Sequence, residues 1–188
     1  KLKKKPYKHL ITLDCGITNH KEITQIKKEI GCNVLIFDHH KIPDIPPPAD
    51  VIINPKSLNE DHPFWELCTA GIVYKFIEYY KNQKKLSIEI NQFLDLVALG
   101  TIADIAAIKG ENRYLTQKGL TTLNYRKRLG LYYLLEESKF QKQYISTRDV
   151  GFVIAPKLNA AGRLKHAQVC VDLLISKDPE EAKTIAKQ

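Results

Sequence analysis

The chain has 188 residues, enough to bury a real core, and its 44% hydrophobic and 27% charged residues give an ordinary globular balance rather than that of a disordered or membrane protein. A formal net charge of +8 favours a polyanionic partner such as nucleic acid, although soluble proteins from lysine-rich proteomes often carry as much. No apolar run nears the roughly 20 residues of a membrane span and no signal-peptide pattern opens the chain, so the reading is a cytoplasmic protein without membrane contact.

Methionine is absent, so Lys1 is not expected to be a natural start and the sequence is read as a fragment. Cys15, Cys32, Cys68 and Cys170 form no Cys-x-x-Cys pair and read as reduced, half-buried thiols. Lys1 to Lys8 is a basic, solvated lead-in with Pro6 blocking early helix. His9 to Leu13 is β-rich and short enough for a central strand, and Gly16 in Asp14-Cys15-Gly16 permits a tight turn at its end. Asn19 as N-cap, Ile23, Ile26 and Ile30 at helical spacing, and Gly31 as the stop predict a helix, after which Val34 to Phe37 forms the next strand. Strand, helix and strand in succession make a βαβ unit with parallel strands and a right-handed crossover.

The second strand runs into Asp38-His39-His40. In open parallel sheets ligands bind beyond the carboxyl ends of the strands, so Asp14 is expected to converge with this triplet. Singly, Asp14 reads as a turn former or helix cap, and one histidine as locally satisfied. Together, a strand-end carboxylate beside a carboxylate and two imidazoles reads as a divalent-metal site for phosphoryl chemistry. Carboxylate and imidazole suit Mn²⁺, Fe²⁺ or Zn²⁺, and a carboxylate-rich set also accepts Mg²⁺.

Four prolines between Lys41 and Asp50 predict an extended connection, followed by a short strand, Val51 to Asn54, ended by Pro55. Lys56 to Asp61 is polar loop, and His62-Pro63-Phe64-Trp65 is a turn with a structural His62. Thr69 caps a helix whose apolar face is Ile72, Val73, Phe76, Ile77 and Tyr80; a basic loop, Lys81 to Lys85, then leads to a helix capped by Ser87. Phe93 to Ile108 is apolar on nearly every face and reads as a buried helix or helical pair. Asp104 within it is costly unless paired, hydrogen-bonded or metal-bound, which makes it the best further ligand candidate, with a helix-cap role still open.

Short helices at Leu120 to Leu123 and Leu131 to Leu135 flank Arg126-Lys127-Arg128, which reads as a solvated turn or a nucleic-acid backbone contact. Ser146 and Asp149 form a capping arrangement for a helix that must stop near Pro156. Asn159-Ala160-Ala161-Gly162-Arg163 reads either as a close-approach phosphate contact, with Arg suited to bidentate binding, or as a plain helix-to-helix turn. Val169 to Ile175 is helical, and Asp178-Pro179-Glu180-Glu181 starts a last helix. The fold class is α/β: a parallel sheet with βαβ units flanked by helices, then a mostly helical C-terminal part.

The ordered set Leu13-Asp14-Cys15-Gly16, Asp38-His39-His40, Asn54-Pro55-Lys56, Leu96 to Asp104, Gly110-Glu111-Asn112-Arg113 and Ala155 to Arg163 resembles the core of the RecJ-type single-strand-specific DNA exonucleases of the DHH phosphoesterase superfamily. The resemblance implies a phosphoesterase core over 1–108 and a helical remainder over 109–188. It implies that Asp14 bridges two Mn²⁺ or Mg²⁺ ions, that His39 and Asp104 complete one of them, and that His40 sits beside the scissile phosphate. Asp38 would orient the histidines, and Asn159 and Arg163 would hold the substrate phosphate. The implied reaction is two-metal hydrolysis of single-stranded DNA, 5′ to 3′, releasing mononucleotides in repair and recombination. Single-strand-binding protein and a helicase are the implied partners.

Three departures bear on these expectations. The family's first-strand Asp-x-Asp motif is missing, so these residues are expected to hold at most a partial site and to be inactive alone. Ala106-Ala107-Ile108 stands for the usual Val-Pro-Leu, and the downstream DNA-binding domains are not included. The rival readings are a DHH-type phosphodiesterase acting on short oligonucleotides or cyclic dinucleotides, and a catalytically inactive RecJ-like replication scaffold.

Overall fold

The computed structural model describes residues 7–164 and 166–188, so residues 1–6 of the expected basic lead-in lie outside the described residues. The chain divides into two compact units, Lys1–Ile88 with Ala106–Arg113, and Glu89–Ile105 with Tyr114–Gln188.

The first unit is built on a parallel sheet in the order β1 (His9–Leu13), β2 (Asn33–Phe37), β3 (Val51–Ile53). Helix α1 (His20–Ile30) connects β1 to β2, completing the expected βαβ unit, and Gly31 ends it in the left-handed conformation. Asn19 occupies the N-cap position without a side-chain cap bond. The middle strand is β2, with Val34 and Ile36 wholly buried against Ile23 and Cys32. Strand β1, expected to be central, lies at one end of the order among the described residues, and its Ile11 and Leu13 are 55% and 53% exposed.

Helix α2 (Thr69–Lys84) has Cys68, not Thr69, at its N-cap, and runs through the expected Lys81 to Lys85 loop to end at Lys85 in the left-handed region. Ile72 and Tyr74 are buried, whereas Phe76 and Tyr80 on the expected apolar face are exposed; Phe76 reaches Phe37 edge-on at 5.1 Å. The segment Ala106–Arg113 is tied back by the buried Asn112, whose amide donates to Glu66 O at 2.6 Å and Ala107 O at 3.1 Å, and by Glu111, which pairs with Lys75 at 3.1 Å. His62 has the expected local role, its Nδ1 accepting from Phe64 N at 3.1 Å.

The second unit is helical: α3 (Leu94–Ala103), α4 (Gly110–Asn124), whose first turn belongs to the first unit, α5 (Leu129–Glu137), α6 (Thr147–Asp149), α7 (Ala155–Leu164), α8 (Ala167–Ile175) and α9 (Pro179–Ala186). Its core gathers Leu99, Leu123, Leu131, Leu135, Val150 and Leu173. Gly130 lets α5 approach α8, since a Cβ there would stand 1.9 Å from Leu173 O. The expected short helix at Leu120 to Leu123 is the end of the longer α4, and no helix starts at Ser87; a 3-10 turn, Ile90–Phe93, precedes α3.

The basic cluster is anchored. Arg128 binds Asp95 through Nε at 2.6 Å and Nη2 at 2.9 Å and donates to Leu174 O, while Arg126 donates to Lys142 O. Ser146 and Asp149 form the expected capping box. The helix does not stop at Pro156: a π turn, Val150–Ile154, intervenes, with Ala155 N bonded to Val150 O. That wider turn makes room for a ring that would crowd the carbonyl four residues back in an α-helix. Asn159 to Arg163 is therefore helix, not a turn. All four cysteines are free, with Cys32 and Cys68 buried and Cys15 exposed rather than half-buried. No helix among the described residues is long and apolar enough to cross a membrane.

Candidate metal centre

Sheet register determines what lies at the carboxyl edge. Leu13 pairs with Phe37 and Phe37 with Ile53, so the next residue on each strand, Asp14, Asp38 and Asn54, leaves the sheet side by side. The ladder continues one step into the loops, with Asp14 N donating to Phe37 O at 2.9 Å and Asp38 N to Ile53 O at 3.2 Å.

Asp14 adopts φ +63°, a left-handed conformation that is uncommon for residues other than glycine and that turns the chain sharply off β1. Gly16 follows at φ +116°, where a Cβ would press to 2.7 Å from Thr12 Oγ1. These two unusual residues bring the buried Ile17 back over the sheet edge, and its N–H donates to Asp38 Oδ2 at 3.0 Å.

Asp38 is 1% exposed and organises the turn after β2. Its Oδ1 accepts from His39 N at 2.8 Å and His40 N at 3.2 Å, and lies 2.6 Å from His40 Nδ1. Burial alone would raise its pKa, but the Ile17 amide, the His40 ring and the His40 amide outweigh burial and hold the carboxyl below its usual value. An ionised Asp38 accepts a hydrogen bond from His40 Nδ1–H, so any ligand role of His40 falls to Nε2.

Asp14, His39 and His40 each offer a ligand atom, and these atoms lie within 4.8 Å of one another. His39 Nε2 is 3.3 Å from Asp14 Oδ1, and the two imidazole rings are 4.5 Å apart. One carboxylate oxygen with two imidazole nitrogens, one ring backed by a buried carboxylate, fits a divalent transition ion such as Mn²⁺.

Asp104, Asn159 and Arg163 belong to the second unit. Asp104 is the C-cap of α3, its N–H donating to Gly100 O at 2.9 Å. The apolar helix expected to bury it ends at Ala103, so Asp104 is exposed, as is Ile105 at 90%. Asn159 and Arg163 are exposed and four residues apart in α7, which puts them on one helix face. Asn54 was legible as a strand end and as part of the Asn54-Pro55-Lys56 motif, with no role at the site assigned to it. Its buried amide reaches His40 O at 2.9 Å, and the signal for it was an Asn-Pro that ends a third parallel strand in step with Asp14 and Asp38.

Residues 2–101 match the DHH family, N-terminal domain. The chain belongs to the DHH family. Among curated relatives, the single-stranded-DNA-specific exonuclease RecJ of Bacillus subtilis (strain 168) is 35% identical over 187 residues, which cover 100% of this chain and 23% of that protein. RecJ of Haemophilus influenzae is 34% identical over 186 residues, covering 94% and 32%. Among solved structures, RecJ from Thermus thermophilus in complex with Mn²⁺ matches with a TM-score of 0.83 at 31% identity, over 95% of this chain and 26% of that one. An exonuclease RecJ bound to manganese matches with a TM-score of 0.81 at 32% identity, over 95% and 44%. This DHH chain thus spans between about a quarter and a third of the length of the curated relatives it matches, and it has the α/β fold with a helical C-terminal part that its sequence implies.

Proposed function

We propose that this DHH chain is part of a metal-dependent exonuclease that hydrolyses single-stranded DNA from 5′ to 3′ in repair and recombination. The observation that carries the reading is the meeting of Asp14, His39 and His40 at the carboxyl edge of a parallel sheet, with ligand atoms within 4.8 Å. Asp14 and His39, with Asp104, hold two Mn²⁺ or Mg²⁺ ions, and His40 stands beside the scissile phosphate. When bound, such ions supply the Lewis acidity that activates an attacking water and stabilises charge on the leaving oxygen. Asp38 keeps His40 in one tautomer. Arg163 and Asn159 grip the substrate phosphate, Arg163 through a planar fork of donors that suits phosphate oxygens. Residues 1–108 serve as the phosphoesterase core and 109–188 as its helical remainder, working in the cytoplasm with single-strand-binding protein and a helicase, and the 188 residues alone are inactive.

The test is turnover of long single-stranded DNA, with Mn²⁺, by the protein that carries this chain. His40→Ala should lower hydrolysis by about 10²- to 10⁴-fold while DNA binding persists, the range for a group acting on the reacting atoms. Wild-type turnover in that variant removes His40 from the chemistry, and activity confined to dinucleotides moves the assignment to the small-substrate phosphodiesterases.

A further inference from the structure

We infer that Asn54 is a positioning residue for His40, holding the imidazole in place from a neighbouring strand; the inference rests on the metal reading of the site. Among the hydrogen bonds of His40, three set its backbone and its ring. Its amide N donates to Asp38 Oδ1 at 3.2 Å, its ring Nδ1 meets the same oxygen at 2.6 Å, and its carbonyl accepts from Asn54 Nδ2 at 2.9 Å. The first two come from the residue two places back in the same turn, so they hold the ring to Asp38 but do not fix the chain beyond it. The third ties that end of His40 to a different strand. With both ends of the residue bonded, its φ and ψ are set, and with them the direction of the Cα–Cβ bond that aims the ring.

Asn54 suits this task because it is itself immobilised. It is 4% exposed and follows Ile53, whose carbonyl already accepts from Asp38 N at 3.2 Å. Its Oδ1 accepts from Lys56 N at 2.8 Å, capping the turn Pro55–Ser57, and its carbonyl accepts from Ser57 Oγ at 2.8 Å. The cap orients the amide so that its NH₂ can only face His40 O. A carboxamide is required, since aspartate would face the carbonyl with an oxygen and serine is too short to reach it.

The experiment separates positioning from capping. Asn54→Ser and Asn54→Thr keep an oxygen for the Lys56 amide but lose the donor to His40. Titrated with Mn²⁺ alone and read by electron paramagnetic resonance, the protein that carries this chain should bind about tenfold more weakly in either variant than in wild type, because loosening the His40 turn also loosens the adjacent ligand His39. Ser57→Ala, which loosens the same turn yet leaves the amide donor in place, should keep wild-type Mn²⁺ affinity. A readout without metal is the ¹⁵N spectrum of the His40 ring, whose Nδ1 and Nε2 signals should shift and broaden in both Asn54 variants and not in Ser57→Ala. Variants that melt earlier but keep both the His40 spectrum and Mn²⁺ affinity reduce Asn54 to a cap and overturn the inference. Failure of the wild-type protein that carries this chain to bind Mn²⁺, with the His40 signals still dependent on Asn54, overturns the metal reading and leaves the positioning role standing.

Discussion

The turn at residues 38–40 and the helical stretch at 159–163 both carry candidate functional side chains, yet they are held by different means. At the sheet edge a wholly buried carboxylate gathers bonds from Ile17, His39 and His40, and the strand register brings Asp14 and Asn54 alongside. On α7, Asn159 and Arg163 are exposed, and what relates them is their four-residue spacing on a helix. The first arrangement is pre-formed by tertiary bonds that a ligand need not supply. The second fixes a direction but leaves long side chains to be ordered by whatever they bind, at an entropic cost. Substitution should therefore damage fold and site together in the first region, and binding alone in the second.

The largest effect should come from Asp38→Ala, which strips partners from buried donors and unclamps His40. We expect about 4 kcal/mol less stability by chemical denaturation, the scale for breaking a buried charged network, and loss of Mn²⁺ binding. A mild loss of stability with Mn²⁺ affinity intact would show that the turn is held by something other than Asp38. Arg128→Ala sharpens the contrast from within the second unit, because the residue looks like a phosphate contact but is bonded to Asp95, Leu174 O and Gln92 O. It should cost about 3 kcal/mol while leaving affinity for single-stranded DNA unchanged. Arg163→Ala should do the reverse. Its melting temperature should match wild type, and in the protein that carries this chain DNA affinity should fall about tenfold with the salt slope reduced by about 1.

The smallest effect is acid sensitivity at the capping box. The Lys142 ammonium, followed by the Ser146 hydroxyl and amide, holds the Asp149 carboxyl down to about 2 from 3.8. A depressed carboxyl contributes stability that is complete above its unfolded value and lost as pH falls from about 5 towards 2. Asp149→Asn should flatten the dependence of melting temperature on pH in that window; a variant that melts with the wild-type slope would place the acid-sensitive contact elsewhere.

Local signals carried much of this fold. The βαβ unit was legible because β-rich runs flank a helix with periodic isoleucines and a terminal glycine, and the Ser146 cap because it closes within four residues. Features decided by distant partners were not. Phe76 and Tyr80 lie at helical spacing with Ile72, but which face of α2 is buried depends on what packs there. Asp104 looked buried because its neighbours are apolar, whereas the helix ends one residue earlier and exposes it. The Asp38 turn was legible as chemistry in Asp-His-His, yet the role of Asn54 required the register of a third strand.

The π turn at Val150–Ile154 does more than let the helix pass Pro156. An α-helix advances about 100° per residue, so one residue accommodated in a wider turn shifts the angular phase of everything after it by about that amount relative to an uninterrupted helix. Asn159 and Arg163 inherit that shift from the capping box that starts the run at Ser146. The direction in which the pair faces is thus written about two helical turns upstream, and deleting a single residue from 150–154 would rotate it by more than a quarter turn without altering either side chain.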